Sequence, residues 1–130
     1  MKRKAIIVSI KGTKLSRLEK ILFTKEKPWG VILFKRNLKT THQIKKLTSQ
    51  IRNITKDKRF PVMIDEEGKN VSRLSDIIQH NFSANLFGKI MKSDRNLGSR
   101  ITKHYVNSLC KILKYLGINI NTIPVLDVLR

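Results

Sequence analysis

Residues 29–65, WGVILFKRNLKTTHQIKKLTSQIRNITKDKRFPVMID, predict a strand, a helix and a second strand in succession. The runs at 29–34 and 61–65 are short, apolar and rich in branched residues, a pattern typical of strands buried on both faces. Thr40 and Gln43 have the spacing of a capping box at the start of the helix. One apolar stripe at helical spacing follows, formed by Ile44, Leu47, Ile51 and Ile54. The segment therefore predicts parallel strands joined by a right-handed crossover.

The same alternation continues on both sides of this segment. Upstream, AIIVSI at residues 5–10 predicts another strand buried on both faces, and a helix marked by Leu15, Leu18 and Leu22 follows it. Downstream, an irregular stretch precedes the longest helix, at about residues 97–116, which we expect to stop at Gly117. Its apolar face is formed by Ile101, Tyr105, Leu109, Ile112 and Leu116. Residues 118–125 then predict a fourth strand.

Four buried strands separated by helices define an α/β fold with a parallel sheet. Periodicity alone fits either an open doubly wound sheet or part of an eight-stranded barrel. The C-terminal run PVLDVLR, residues 124–130, has no helix after it to cover its apolar side chains. We interpret this uncovered strand as a sign that the chain is half of a larger unit.

The chain has 130 residues, of which 40% are hydrophobic, with six glycines and three prolines. These values suit one globular domain and exclude collagen-like, low-complexity and wholly disordered classes. No apolar run approaches the ~20 residues of a membrane helix, and the run at residues 5–10 is shorter than the ~7–15-residue core of a signal peptide. We therefore expect a soluble, cytoplasmic protein. Cys110, the only cysteine, lies beside Leu109 in a helical pattern, so we interpret it as a core thiol.

The net charge of +19 makes nucleic acid a partner to consider, because 28 basic residues face only nine acidic ones. The basic residues are scattered, and the sequence has no zinc-finger spacing, aromatic-rich strand motif or tight arginine cluster. A coding bias toward lysine, isoleucine and asparagine explains the charge at least as well. We therefore disfavour a dedicated nucleic-acid function.

An acidic cluster marks the end of the third predicted strand. Asp65, Glu66 and Glu67 stand consecutively before Gly68, and Arg73 lies eight residues after Asp65. Ligands of α/β folds meet the chain at the carboxyl ends of the strands, where carboxylates accept hydrogen bonds from sugar hydroxyls or bind cations. The cluster is therefore either a binding site or a solvated turn with a surface arginine nearby.

Three blocks of the sequence carry a family resemblance. VILFKRN (residues 31–37), PVMIDEEGKNVSRL (61–74) and LGININTIPVLDV (116–128) resemble successive blocks of the N-terminal barrel of family 3 glycoside hydrolases. They are similar in particular to the bacterial β-N-acetylglucosaminidases (β-hexosaminidases) of peptidoglycan recycling. GTKLSRLE, residues 12–19, resembles the loop and helix start after the family's first strand. The resemblance implies the N-terminal half, about four βα units, of a TIM-type (β/α)8 barrel.

The resemblance also assigns two site residues. The family's acidic motif runs Asp, Gln, Glu, Gly, Gly, Arg, Val, Gln, Arg, and its first Asp and last Arg bind the sugar where cleavage occurs. These positions fall on Asp65 and Arg73. Glu66 stands where the family has Gln, while Lys69 and Asn70 replace the second Gly and the first Arg. A carboxylate and a guanidinium suit this role because charged groups strengthen hydrogen bonds to hydroxyls.

The implied activity is removal of terminal N-acetylglucosamine by a retaining double displacement, without a metal or organic cofactor. The family's acid/base His, its partner Asp and its nucleophilic Asp lie on later loops, beyond Arg130, so we expect no catalytic residue in this chain. His42, His80 and His104 do not match that motif, and we interpret them as surface or helix-face residues. Asp127 is assigned a structural role, and every other carboxylate a surface position.

The sequence thus predicts that residues 1–130 are a partial N-terminal domain of this family, truncated after the fourth strand and inactive alone. Its expected partners are an N-acetylglucosamine-containing saccharide and the missing C-terminal half of the barrel. Two alternatives stay open. One is a noncatalytic half-barrel that binds a carbohydrate or a partner protein, and the weaker one is a basic nucleic-acid-binding domain.

Overall fold

The structure, a computed structural model, describes residues 2–79 and 81–124. Four parallel strands pair in the order β1-β2-β3-β4, which confirms the α/β class and the parallel sheet. The elements are β1 (Lys4–Ser9), α1 (Arg17–Lys25), β2 (Pro28–Leu33), a 3₁₀ turn (Lys35–Asn37), α2 (Thr41–Thr55), β3 (Val62–Ile64), α3 (Ala84–Ser93), α4 (Arg95–Tyr115) and β4 (Ile120–Asn121).

The core lies on one face of β2 and β3. Val31 pairs with Val62 and Leu33 with Ile64, and all four side chains have an exposed fraction of 0%. Apolar side chains of the helices complete this cluster, among them Phe23, Ile44, Leu47, Ile51, Leu109 and Leu113. Thr40 caps α2 by accepting a hydrogen bond from the Gln43 backbone, as its spacing predicts. The helix layer therefore holds the central strands in place.

The prediction that β1 is buried on both faces is wrong. Ile6 and Ile7 are 47% and 45% exposed. β1 pairs only with β2 among the described residues, so it lies at an edge of the sheet. An apolar run is buried only where neighbouring strands and helices cover it, and in this run Ile10, directly after β1, is covered and 2% exposed.

Helix α1 is shorter than its leucine spacing suggests. It begins after Ser16, whose hydroxyl and Glu19 form a complete capping box, so Leu15 precedes the helix. Leu18 lies within the helix, as its spacing predicts, but its side chain is 78% exposed. Phe23 takes the inner position instead and packs edge-on against Phe60, with ring centroids 5.9 Å apart.

The stretch expected to be irregular contains a helix of its own, α3, capped by Ser83. Asp94 ends it and caps α4, whose start lies two residues earlier than predicted. Cys110 is exposed on α4, so the interpretation as a core thiol is wrong, because the buried face of the helix runs through Leu109 and Leu113.

Helix α4 ends at Tyr115, one residue before the predicted end, and the predicted stop residue Gly117 follows with a φ of +79°. β4 covers two residues of the predicted 118–125 strand. Residues 125–130, with the uncovered run and Asp127, lie outside the described residues, as does His80. Within residues 2–79 and 81–124, none of the helices is both long enough and apolar enough to cross a membrane.

Candidate functional site

The residues at the carboxyl ends of β2, β3 and β4 meet at one edge of the sheet, because parallel strands bring these ends together. Phe34 follows β2, Asp65 and Glu66 follow β3, and Asn121 ends β4, with Thr122 directly after it. This edge is where ligands of parallel α/β folds bind.

Asp65 and Arg73, the two predicted site residues, lie together here. Arg73 Nη2 is 3.4 Å from Asp65 Oδ2, and the side chains are 32% and 22% exposed. Thr122 Oγ1 donates a 2.7 Å hydrogen bond to the other carboxylate oxygen, Asp65 Oδ1. The pair is therefore held from two sides and still meets solvent.

Glu66 is fully buried, with an exposed fraction of 0%, so its interpretation as a surface charge is wrong. Its Oε2 accepts hydrogen bonds from the backbone N–H groups of Arg73, at 2.8 Å, and Leu74, at 2.9 Å. A buried carboxylate needs such donors to replace water. The loop between Glu66 and Leu74 is thus closed by a side chain that belongs to the strand end.

Asn121 connects β4 to the same point. The Glu66 N–H donates to Asn121 Oδ1 at 2.9 Å, and Asn121 Nδ2 donates to the Glu66 carbonyl oxygen at 3.0 Å. The sequence reasoning did not select Asn121 or Thr122, although polar residues at the end of an apolar strand were a usable signal.

The loop after the acidic cluster folds back on itself. Gly68 has a φ of +127°, which favours glycine, and the Glu67 and Gly68 N–H groups donate to the Val71 carbonyl oxygen. Lys69 and Asn70 are exposed at the tip of this loop.

Phe34 lies beside both arginines of this edge. The Arg36 and Arg73 guanidinium carbons are 4.7 and 5.7 Å from its ring centroid, within the range of cation–π attraction.

Asn37 is fully buried and donates through Nδ2 to the carbonyl oxygens of Ile10, at 3.1 Å, and Gly12, at 2.8 Å. Asn37 thereby ties the end of β2 to the end of β1.

Charges around this edge shift two pKa values. The hydrogen bond from Lys35 lowers the pKa of Asp76, and the charge of Lys35 adds to it. Burial raises the pKa of Tyr105, and the negative charge of Glu66 adds to that rise. A salt bridge of 2.9 Å joins Lys35 and Asp76 across the ends of β2 and the β3 loop.

The structure describes two of the three histidines, His42 and His104. They are exposed on α2 and α4, as predicted. Over residues 2–79 and 81–124, no three histidine, cysteine or acidic side chains come together in a way that would hold a metal ion.

No protein-family model matches the chain. The β-hexosaminidase of Chromobacterium violaceum is 28% identical over 125 residues, which are 96% of this chain and 35% of that protein. NagZ from Neisseria gonorrhoeae superposes with a TM-score of 0.89 at 26% identity, over 97% of this chain and 36% of NagZ in its complex with N-trifluoroacetyl-D-glucosamine. A family 3 β-N-acetylglucosaminidase from Paenibacillus gives a TM-score of 0.75 at 26% identity, over 94% of this chain and 23% of that protein.

The chain thus spans about a third of the length of the first two proteins and about a quarter of the Paenibacillus enzyme. Its parallel sheet and helices match the N-terminal, TIM-barrel-like part of NagZ, which supports the barrel over the open doubly wound sheet. The predicted resemblance is confirmed: the chain is similar to the N-terminal domain of family 3 glycoside hydrolases, and to the NagZ-like β-N-acetylglucosaminidases among them.

Proposed function

We propose that this chain is the N-terminal part of a retaining β-N-acetylhexosaminidase that hydrolyses terminal N-acetylglucosamine from cell-wall-derived glycans. The observation that carries the proposal is the partly exposed pair of Asp65 and Arg73 at the carboxyl end of the sheet. Active sites of (β/α)8 barrels lie at this end. Residues 1–130 supply the first four strands, and peptidoglycan recycling in the cytoplasm is the setting that the family resemblance suggests.

The pair suits a sugar because its two members have opposite hydrogen-bonding roles. Each Asp65 oxygen accepts one protein hydrogen bond and keeps further acceptor capacity for a hydroxyl. The Arg73 guanidinium donates, and its planar fork is fixed in geometry. Adjacent hydroxyls on one sugar ring therefore find an acceptor and a donor within one short span of the sheet edge.

The proposed role of this chain is to bind and orient the sugar. A retaining hydrolase needs a nucleophile and an acid/base group, and we propose that both come from the part of the barrel that follows these four strands. No cofactor takes part. A half-barrel that binds a carbohydrate or a protein without catalysis is the alternative against which the proposal is tested.

The test joins this chain to the C-terminal part of N. gonorrhoeae NagZ and measures hydrolysis of a chromogenic N-acetylglucosaminide. Asp65→Ala and Arg73→Ala should each lower kcat/KM by about ten- to a hundredfold, because hydrogen bonds to a charged group contribute roughly 1.5–3 kcal/mol. Both variants should melt near the parent temperature, because the two side chains are partly exposed.

Lys25→Ala is the control, since this lysine is exposed in the last turn of α1. An inactive parent chimera would contradict the enzyme proposal and favour the noncatalytic alternative. An active chimera whose kcat/KM is unchanged by Asp65→Ala would contradict the assignment of the sugar-binding pair.

A further inference from the structure

We infer that Glu66 is a positioning residue for the sugar site, because its buried carboxylate fixes the backbone from which Arg73 reaches Asp65. This inference rests on the proposed function, since the site that Glu66 serves is the Asp65 and Arg73 pair. Glu66 itself has no exposed surface and therefore acts through its neighbours.

The Oε2 atom of Glu66 joins two neighbouring backbone groups of the loop. One carboxylate oxygen accepts the N–H groups of two consecutive residues, Arg73 at 2.8 Å and Leu74 at 2.9 Å. Two donors that converge on one acceptor set the orientation of the peptide between them. Leu74 is fully buried in the core, so this peptide is anchored on its far side as well.

The backbone of Glu66 is itself held in place by a residue of β4. Its backbone N–H and carbonyl oxygen both bond to the side-chain amide of Asn121, at 2.9 and 3.0 Å. The connection therefore runs from β4 through Glu66 to the backbone of Arg73. Asp65, the adjacent residue, lies on the same fixed strand end.

The guanidinium of Arg73 is held less firmly, because its contacts with Asp65 and Phe34 are long. Nη2 lies 3.4 Å from Asp65, and the guanidinium carbon lies 5.7 Å from the Phe34 ring centroid. Arg73 Nε is buried and has no hydrogen-bond partner among the residues that the structure describes. Weak side-chain contacts leave the backbone, and hence Glu66, to determine where the guanidinium lies.

The experiment measures kcat/KM of the same chimera for a series of Glu66 variants, expressed per folded molecule. Glu66→Ala should lower kcat/KM about tenfold, because the two N–H groups lose their acceptor. Glu66→Gln keeps an acceptor oxygen and should stay within about threefold of the parent. Lys25→Ala removes an exposed charged side chain in the last turn of α1 and should leave kcat/KM unchanged.

A double-mutant cycle separates positioning from a purely structural effect. If Glu66 acts through Arg73, Glu66→Ala should lower kcat/KM by less than about twofold when Arg73→Ala is already present. An equal loss in both backgrounds, or no loss in either, would overturn the inference and leave the proposed function standing. An inactive parent chimera would instead overturn the proposed function, and an active parent that is insensitive to Arg73→Ala would overturn the sugar-binding pair that Glu66 is inferred to serve.

Glu66→Asp replaces Glu66→Ala in the cycle if the alanine variant does not fold. The shorter side chain keeps the charge, but it withdraws the carboxylate by about one methylene from the two N–H groups. It should therefore lower kcat/KM in the same Arg73-dependent way. Equal effects in the two backgrounds would again count against positioning.

Discussion

Asn119 and Asn121 lie two residues apart at β4 and bond to β3 at its opposite ends. Asn119 Oδ1 accepts from the Val62 N–H at 2.7 Å, and its Nδ2 donates to the Phe60 carbonyl oxygen at 3.1 Å. Asn121 makes the equivalent pair of bonds with the N–H and carbonyl oxygen of Glu66. The same amide chemistry thus joins the two strands at both ends.

The difference lies in what each asparagine holds in place. At the amino end, the neighbouring side chains also form hydrogen bonds to backbone groups. Thr48 Oγ1 donates to the Leu116 carbonyl oxygen, and Arg52 donates to the Gly117 carbonyl oxygen. At the carboxyl end, Asn121 holds a residue that adjoins the charged pair of Asp65 and Arg73. In (β/α)8 barrels, the amino end typically serves stability and the carboxyl end function. We expect the two ends of this sheet to divide in the same way.

The largest expected effect on stability is that of Gly117→Ala at the amino end. Gly117 has a φ of +79°, and an added Cβ would lie 2.4 Å from Thr48 Oγ1 and 2.9 Å from Arg52 Nη1. Backbone strain and the displaced hydrogen bonds should together lower the free energy of unfolding by about 2–4 kcal/mol. Urea denaturation of the chain measures this change, while kcat/KM of the folded chimera should stay constant.

Gly88→Ala is the matched control for the glycine prediction. Gly88 lies within α3, and a Cβ there meets no atom within 4 Å. Alanine should therefore leave the free energy of unfolding unchanged or raise it by up to about 1 kcal/mol. Equal losses at the two glycines would show that the tight packing around Gly117 is unimportant.

A direct test of the comparison replaces each asparagine in turn. Asn119→Ala and Asn121→Ala should each lower the free energy of unfolding by about 1–3 kcal/mol, because backbone groups lose their partners. Only Asn121→Ala should also lower kcat/KM of the chimera, by about tenfold, because it releases the strand end that carries Asp65. A similar loss of kcat/KM in both variants would remove the functional distinction between the two ends.

Sequence patterns predicted the position of those strands and helices that carry a clear apolar pattern of their own. The bounds of β2, β3, α2 and α4 fall within a few residues of expectation, because each carries a continuous run or a full apolar stripe. The burial of β1 was mispredicted because β1 is an edge strand, and the burial of an edge strand depends on which other elements cover it. α3 was missed because it has no fully buried residue to mark its inner face.

The site was predictable to the extent that a motif carried it. Asp65 and Arg73 followed from the family resemblance, and the structure places them 3.4 Å apart. The place of Asn121 and Thr122 at the end of an apolar strand was a usable signal, but the burial of Glu66 and the particular bonds that Asn121 and Thr122 make were not predictable. They depend on which strands are neighbours and on how residues 67–72 fold back, and neither spacing nor composition encodes those two facts.

The smallest expected effect on stability comes from the ion pair at the amino end of the sheet. Arg3 hydrogen-bonds Asp57 there, and this bond, with the Arg59 N–H, lowers the pKa of Asp57. A lowered folded-state pKa contributes stability above the unfolded value of about 3.9, and the contribution disappears as pH falls through the folded value. Asp57→Asn keeps an acceptor for the Arg59 N–H but removes the charge. It should therefore lower the free energy of unfolding at pH ~7 by at most about 1 kcal/mol, since the pair is partly exposed.

The difference between Asp57→Asn and the parent should shrink as pH falls below the unfolded value of about 3.9 and disappear below the lowered folded-state pKa, because both side chains are then neutral. Urea denaturation across this pH range measures the difference. The kcat/KM of the chimera at neutral pH should be unaffected, because the ion pair lies at the end of the sheet opposite the proposed sugar site. A stability difference that persists in acid would mean that the shape of the side chain, and not its charge, supports the amino end. A change in kcat/KM would mean that the two ends of the sheet are coupled, which would contradict the division between them.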